Sequence, residues 1–110
     1  MAYTGRTFED ELCMMSGESI KEYFDDWKAL MRQEYAQLRE AGLEEEDKKE
    51  LFEIVKSFNS TLDLLVNQDK NMANLKAYRS TRKILASSVI RHYYDANEKM
   101  VYLLDKYHVM

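Results

Sequence analysis

The sequence predicts an all-α fold, an antiparallel bundle of three to four helices that ends in a long C-terminal helix. Proline is absent from the 110 residues, and glycine occurs only three times. Apolar residues recur at spacings of three and four, as the buried stripe of an amphipathic helix requires. The sustained alternation that indicates strands is missing. With 45% apolar residues, the chain is long enough to form a core as one domain, residues 1–110.

The first helix is expected to be short. Thr7 lies three residues before Asp10, a spacing that is typical of a capped helix N-terminus. This pattern predicts a helix over residues 8–16. Gly17 would end that helix, because glycine is a poor helix former.

The second helix is predicted from Ile20 to Ala41. Ser19 and Glu22 fit a capping box, in which each side chain satisfies a free backbone amide of the other residue. Gly42 would then take the left-handed conformation that closes many helices. The apolar stripe of this helix consists of Ile20, Tyr23, Phe24, Trp27, Leu30, Met31, Tyr35 and Leu38.

The third helix is expected to begin near Glu44, because the segment LEEED places acidic residues where the helix dipole favours them. The polar segment NQDKN predicts a turn, so the helix should end between Gln68 and Asn71. Its stripe alternates by four and three and consists of Leu51, Val55, Phe58, Leu62 and Leu65.

The last helix should run from 72 to 107. At ~1.5 Å per residue it would be about 54 Å long, against roughly 33–38 Å for the second and third helices. A break at Ser80–Thr81 or at Ser87–Ser88 would shorten it. Otherwise the first helix or a second copy of the chain must cover the excess. This mismatch in length favours a homodimer.

Charge is divided unevenly along a chain whose formal net charge is −4. Residues 1–69 carry 8 Lys and Arg against 17 Asp and Glu, whereas residues 70–110 carry 8 against 3. The two halves either attract each other within one fold or present a charged face to a partner. The acidic face that we expect to contact a protein partner consists of Glu44, Glu45, Glu46, Asp47 and Glu50.

The last helix carries a basic face. The helical wheel places Lys76, Arg79 and Lys83 away from the apolar stripe. Arg91 lies at the margin of this face, and Tyr94 lies beside it. Cations next to an exposed aromatic ring suit contact with phosphates and bases, so these residues are candidates for nucleic-acid contact. The net negative charge of the chain opposes that interaction at long range.

Arg82 interrupts the apolar stripe of the last helix, at the centre of the sector that the core residues span. A buried charge needs a partner, because an unpaired one costs several kcal/mol. Glu34 falls inside the stripe of the second helix, which makes a buried Arg82–Glu34 ion pair the first candidate. Asp69 is the other acidic candidate. Arg82 would instead extend to water if it lay at an end of the bundle.

Few residues form patterns that indicate catalysis. No glycine-rich phosphate loop is present, and neither histidine belongs to the Glu-x-x-His motif of metal sites in bundle cores. The only cysteine, Cys13, lies in the apolar segment LCMM, as a buried and unreactive thiol would. We therefore expect no enzyme activity, no metal and no cofactor.

We expect a cytoplasmic protein without membrane contact. No aliphatic run approaches the ~20 residues that cross a bilayer. The N-terminal residues are acidic and lack the apolar core of a signal peptide. A single cysteine permits no intramolecular disulfide, which suits a reducing compartment.

These features favour a small non-enzymatic helical module that binds a larger protein as an inhibitor or adaptor. In size, charge and composition the chain is similar to small acidic helical proteins with which phages and mobile elements inhibit host machinery, although no motif supports the similarity. Its acidic face would meet a basic site on the partner. The alternative is a DNA- or RNA-binding accessory protein that uses the basic face.

Overall fold

The computed structural model describes residues 7–68 and 75–109, with the backbone alone for residues 75 and 76. These ranges are almost entirely helical and contain no strand. The predicted all-α bundle with a long C-terminal helix is confirmed. Its helices are α1 (Phe8–Met14), α2 (Gly17–Glu40), α3 (Glu45–Val66) and α4 (Leu75–Lys106).

Helix α1 begins at the predicted cap. The Thr7 hydroxyl accepts a hydrogen bond from the Asp10 amide, and the Asp10 carboxylate accepts one from the Thr7 amide, both at 3.2 Å. The helix ends at Met14, two residues before the predicted end. Both cap residues lie within one turn of each other, which is why the sequence pattern was sufficient to find them.

Helix α2 starts three residues earlier than predicted. Ser16, rather than Ser19, is the N-cap, since its hydroxyl accepts a hydrogen bond from the Ser19 amide at 3.1 Å. The predicted capping box of Ser19 and Glu22 is therefore wrong, and Gly17 opens α2 instead of ending α1. A Cβ atom on Gly17 would overlap with the main-chain carbonyl oxygen of Val66. Glycine thus allows α2 to begin in direct contact with the last turn of α3.

Helices α2 and α4 end in the same left-handed motif. Gly42 has a φ of 92°, as predicted, and the Leu43 amide donates to the Leu38 carbonyl at 3.0 Å. At the end of α4, His108 takes the equivalent position with a φ of 57°, which is uncommon for a residue other than glycine. The Val109 amide donates back into the last turn of α4 at 2.9 Å. The motif satisfies carbonyls that would otherwise lack a partner.

Helix α3 begins after Glu44, as predicted, and ends at Val66, somewhat before the predicted range of Gln68 to Asn71. The turn predicted at NQDKN lies, from Asp69 onward, outside the described residues. Helix α4 is continuous through both serine-containing pairs at which a break was considered. Its 32 residues make it about 48 Å long at ~1.5 Å per residue.

Two clusters of buried side chains show how the helices are arranged. One cluster joins the start of α2 to the end of α3 and consists of Leu12, Ile20, Phe24, Phe58, Leu62, Leu65, Ala86 and Val89. The other joins the end of α2 to the start of α3 and consists of Met31, Leu38, Leu51, Ala96, Met100, Leu103 and Leu104. Helices α2 and α4 therefore run in the same direction, and α3 runs antiparallel to both. Trp27 packs against both clusters.

Helix α1 packs against α4. The ring of Phe8 contacts that of Tyr93 at a centroid distance of 6.1 Å. α1 is thus a third neighbour of α4, beside α2 and α3. The mismatch in helix length does not by itself require a second copy of the chain, and the homodimer stays a prediction.

The bundle is flat. Its principal extents are 49, 37 and 18 Å, and its radius of gyration is 16.2 Å. A compact chain of this length would have a radius of gyration of about 13 Å. Helices α3 and α4 share the most extensive contact, whereas α2 contacts each of them over a smaller area. The loose packing of α2 leaves the side of the molecule between α2 and α3 open.

Candidate functional site

The acidic segment that begins α3 divides into an exposed and a buried part. Residues Glu44–Glu46 are exposed. Asp47 is 8% exposed, and its carboxylate accepts hydrogen bonds from Lys106 Nζ at 2.8 Å and from the Tyr107 hydroxyl at 2.6 Å. The prediction that Asp47 contacts a partner is wrong, because its carboxylate is already bound within the fold.

Glu50 is also engaged within the fold. Its carboxylate accepts a hydrogen bond from Lys99 Nζ at 2.6 Å, which forms a salt bridge between α3 and α4. The other salt bridge among the described residues, Lys106–Asp47, joins the end of α4 to the first turn of α3. The acidic and basic parts of the chain therefore attract each other inside one fold.

The contacts of Asp47 shift the pKa values of three groups. The hydrogen bond from Lys106, supported by that from Tyr107, lowers the pKa of Asp47. The same bonds raise the pKa values of Lys106 and Tyr107. The Tyr107 hydroxyl also accepts a hydrogen bond from the Glu44 amide at 3.0 Å. This cluster ties the loop between α2 and α3 to the end of α4.

The predicted basic face lies on the exposed side of α4. Arg79, Lys83 and Arg91 are exposed, and Tyr94 is 57% exposed. None of these three cations forms a salt bridge with another described residue. The side chain of Lys76, the remaining member of the predicted face, lies outside the described side chains.

Glu9 of α1 places negative charge beside this basic face. Burial raises the pKa of the half-buried Cys13 thiol, and the neighbouring charges that also affect it include Glu9, Asp10 and Lys83. Glu9 also lines a shallow pocket together with Ser87 and Tyr94 of α4. Its carboxylate therefore weakens the positive potential of the face near Tyr94.

Arg82 is buried, as the helical wheel predicts, with 5% of its surface exposed. Its Nε donates to the Cys13 carbonyl at 2.8 Å, and its Nη2 donates to the Met15 carbonyl. Its Nη1 donates to Gln68 Oε1 at 3.3 Å and to the Tyr78 hydroxyl at 3.1 Å. The described hydrogen bonds of Arg82 all end at neutral oxygen atoms. Two of these oxygens lie at the C-terminal end of α1, where the helix dipole favours a cation.

The predicted ion pair between Arg82 and Glu34 is wrong. Trp27 Nε1 donates to Asn97 Oδ1 at 2.6 Å, which places these two residues at the same height in the bundle. Arg82 lies fifteen residues before Asn97, or about 22 Å at ~1.5 Å per residue. Glu34 lies further along α2 in the opposite direction, where burial raises its pKa. Asp69, the other acidic candidate, lies outside the described residues.

A groove with a volume of about 590 Å³ runs between α2 and α3 on the open side of the bundle. Its rim on α2 carries Lys28 and Arg32, and its rim on α3 carries Asn59 and Asp63. Most of its lining is apolar and includes Trp27, Met31, Tyr35, Phe52, Val55 and Met100.

Aromatic contacts give the groove a defined shape. The ring of Trp27 packs on that of Phe58 at 4.8 Å, while the hydrogen bond to Asn97 fixes its orientation. Towards the other end of the groove, Tyr35 and Phe52 meet across the two helices at a centroid distance of 5.2 Å. Phe52 nevertheless leaves 47% of its surface exposed. Preformed apolar grooves between helices are sites at which amphipathic helices bind.

The stripe pattern of the sequence does not predict this groove. Trp27 and Tyr35 belong to the predicted apolar stripe of α2, and Phe52 belongs to no predicted surface. Phe52 follows Leu51 directly, so the apolar sector of α3 extends past its stripe on one side. An apolar sector that is too wide for one neighbouring helix is the signal that could have indicated a second contact surface.

The described residues contain no cluster of three or more His, Cys, Asp or Glu side chains able to hold a metal ion. Among these residues, no helix combines the length and the hydropathy that a membrane span requires.

Comparisons with protein-family models, with curated proteins and with solved structures find no match to this chain. The candidate site therefore rests on the geometry of the α2–α3 groove and on the charges around it.

Proposed function

We propose that this chain is a small helical protein-interaction module, without catalytic activity of its own, whose α2–α3 groove binds amphipathic helices. The observation that supports the proposal is the apolar lining of the groove next to the half-exposed ring of Phe52. Completing the burial of a large apolar side chain contributes about 1–3 kcal/mol. A helix that covers Phe52 would therefore gain binding energy at a site that is already formed.

The composition of the groove also supports a protein partner. Tryptophan, tyrosine and arginine are the residues that most often dominate the energetics of protein interfaces. The groove places Trp27 and Tyr35 in its lining and Arg32 on its rim. Methionine side chains such as Met31 can adapt to the shape of a partner.

The exposed glutamates Glu44–Glu46 provide a second, smaller surface on the same module. They retain the part of the predicted acidic face that the fold does not use, and they would contact a basic site on a larger partner. An inhibitor or adaptor of this kind would combine apolar binding in the groove with electrostatic attraction at the start of α3. We place this activity in the cytoplasm, since a free cysteine is typical of a reducing compartment.

Photo-cross-linking in the cells of origin tests the groove. A photoreactive phenylalanine analogue replaces Phe52 in one variant and Tyr94 in a control, because both rings are about half exposed but lie on different helices. We expect specific protein cross-links from position 52 and few from position 94. If position 52 gives no cross-links above those from position 94, the groove is not the binding site.

A second candidate function is nucleic-acid binding through the basic face of α4. It is favoured by the exposure of Arg79, Lys83 and Arg91 without salt bridges to other described residues. We rank it below the groove, because the net charge of the chain is −4 and Glu9 of α1 lies beside Tyr94.

A further inference from the structure

We infer that the helices which fill the groove are α2 and α3 of a second copy of this chain. The inference rests on the proposed function of the groove and names its partner. In the resulting dimer, a two-fold axis parallel to the helices would place α2 of each copy over α3 of the other. Because α2 and α3 are antiparallel within one copy, the four helices would form an antiparallel four-helix bundle with both grooves at its centre.

The surface area of the chain fits such a dimer. Its solvent-accessible surface is 7672 Å². A compact monomer of 13.1 kDa exposes about 6,400 Å², so this chain exposes an excess of about 1,300 Å². Stable dimers bury about 800 Å² per subunit or more. An excess of this size is comparable with the surface that each subunit of a stable dimer buries.

The rims of the groove have complementary charges in this arrangement. The α2 rim carries the cations Lys28 and Arg32, and the α3 rim carries Asn59 and Asp63. A two-fold axis along the groove brings the α2 rim of one copy against the α3 rim of the other. Lys28 of each copy then lies on the side that carries Asp63 of the other, so the same pairing occurs twice in the dimer, once on either side of the axis. Lys56 lies next to the α3 rim, because it lines a neighbouring depression together with Asn59 and Asp63.

The apolar lining is also self-complementary. Phe52 projects from the α3 side with 47% of its surface exposed, and Trp27 and Met31 lie on the α2 side. Exchanging the sides by the two-fold axis places the Phe52 ring of each copy over the α2 side of the other. The half-exposed ring would then be covered without any change in the fold of either copy.

The first test is the mass of the purified chain in solution, measured by light scattering after gel filtration over a wide range of concentrations. We expect a mass of twice 13.1 kDa for the wild type. Phe52→Glu should yield monomers, because it places a charge in the apolar interface. Tyr94→Glu, which alters a similarly exposed ring on α4, should remain dimeric. The helical circular dichroism of both variants confirms that they are folded.

Charge reversal provides a second, independent test. Lys28→Glu should raise the dissociation constant of the dimer about tenfold or more, because it places like charges opposite each other. Adding Asp63→Lys should restore most of the affinity, because the pair is then reversed rather than broken. A general loss of stability would not be rescued in this way. If the double variant dimerises no better than Lys28→Glu alone, the two rims do not face each other and the arrangement is wrong.

The outcomes separate this inference from the proposed function. The wild-type chain could stay monomeric at every concentration while position 52 cross-links to a different protein in cells. The groove would then be a binding site, but a second copy of the chain would not be its partner. A monomer whose position 52 forms no specific cross-links overturns both. If neither Phe52→Glu nor Tyr94→Glu weakens the dimer, the two copies meet through another face, and the inference is wrong.

Discussion

The Arg82 side chain donates a hydrogen bond to the main-chain carbonyl of Cys13, at 2.8 Å and across most of the length of the chain. Together with the bond to the Met15 carbonyl, it fastens the end of α1 to α4. Within the part of the chain that the structure describes, the cation is satisfied by main-chain oxygens and by neutral side chains instead of a carboxylate. This choice of partners determines how the molecule should respond when Arg82 is replaced.

Replacing Arg82 should release α1 from the bundle. We expect Arg82→Met to lower the free energy of unfolding by about 1–3 kcal/mol, because it leaves partly buried carbonyl oxygens without donors. Arg82→Lys should not restore the loss, since a lysine cannot reach several separated acceptors with one planar group. Denaturation by urea measures the change. A change below about 0.5 kcal/mol, as at an ordinary surface position, would contradict this role.

Glu34 is the control for that experiment. It and Arg82 lie near opposite ends of the bundle, so their substitutions should act independently. A double-mutant cycle with Arg82→Met and Glu34→Leu should give a coupling energy within about 0.5 kcal/mol of zero. A larger favourable coupling would indicate that the two side chains pair in solution after all.

Gly17 should be intolerant of alanine. Alanine usually stabilises a helix by up to about 1 kcal/mol relative to glycine. Here its Cβ would overlap with the Val66 carbonyl oxygen, so we expect Gly17→Ala to destabilise the fold by about 1–3 kcal/mol. The sign of the change is the test, and thermal unfolding measures it. Glu18→Ala, at an exposed neighbouring position, should change the stability little and serves as the control.

The features that sequence reasoning predicted correctly depend on neighbouring residues. Thr7 and Asp10 cap α1 within one turn, and Gly42 closes α2 through bonds to the turn before it. The position of Arg82 in the core follows from the helical wheel alone. Patterns of this kind lie within a few residues of each other, so the local sequence was sufficient to reveal them.

The features that sequence reasoning missed depend on how distant helices meet. Ser16, not Ser19, caps α2, and the helix begins at Gly17 in close contact with Val66 of α3. Two of the acceptors of Arg82 are main-chain carbonyls, which carry no signature in the sequence. The groove exists because α2 packs less closely against its neighbours than α3 and α4 pack against each other. No local pattern encodes such differences in packing.

The cluster around Asp47 should make stability depend on pH. Hydrogen bonds from Lys106 and Tyr107 lower the pKa of Asp47 in the folded state, so the folded protein binds fewer protons there than the unfolded chain. The stabilisation is therefore present above the ordinary pKa of aspartate and is lost as the pH falls through the lowered pKa of Asp47. The pKa of Lys106 is raised, so its contribution is lost as the pH rises through that value.

Asp47→Asn tests this dependence. We expect the variant to have a lower thermal midpoint than the wild type at neutral pH, and the difference should shrink at acidic pH. Glu46→Gln removes an exposed carboxylate one residue away and should show no such pH-dependent difference. If the thermal midpoints of Asp47→Asn and the wild type differ by the same amount at neutral and acidic pH, the Asp47 carboxylate does not hold the cluster together.

Nucleic acid should bind the basic face only weakly at physiological salt. On duplex DNA, three phosphate contacts would make the logarithm of the binding constant fall with the logarithm of the salt concentration, with a slope of about −2.7.

Fluorescence anisotropy with duplex and single-stranded oligonucleotides, at low and physiological salt, measures the affinity. The test variant changes the exposed cations of α4 to glutamine, namely Arg79, Lys83 and Arg91. The control makes the same change in charge on α2 and α3, at Lys21, Lys49 and Lys56. We expect both variants to resemble the wild type at physiological salt, where binding should be weaker than micromolar. The basic face, with Tyr94 beside it, would be the functional site if the wild type bound with micromolar or tighter affinity, the α4 variant lost this binding and the control variant retained it.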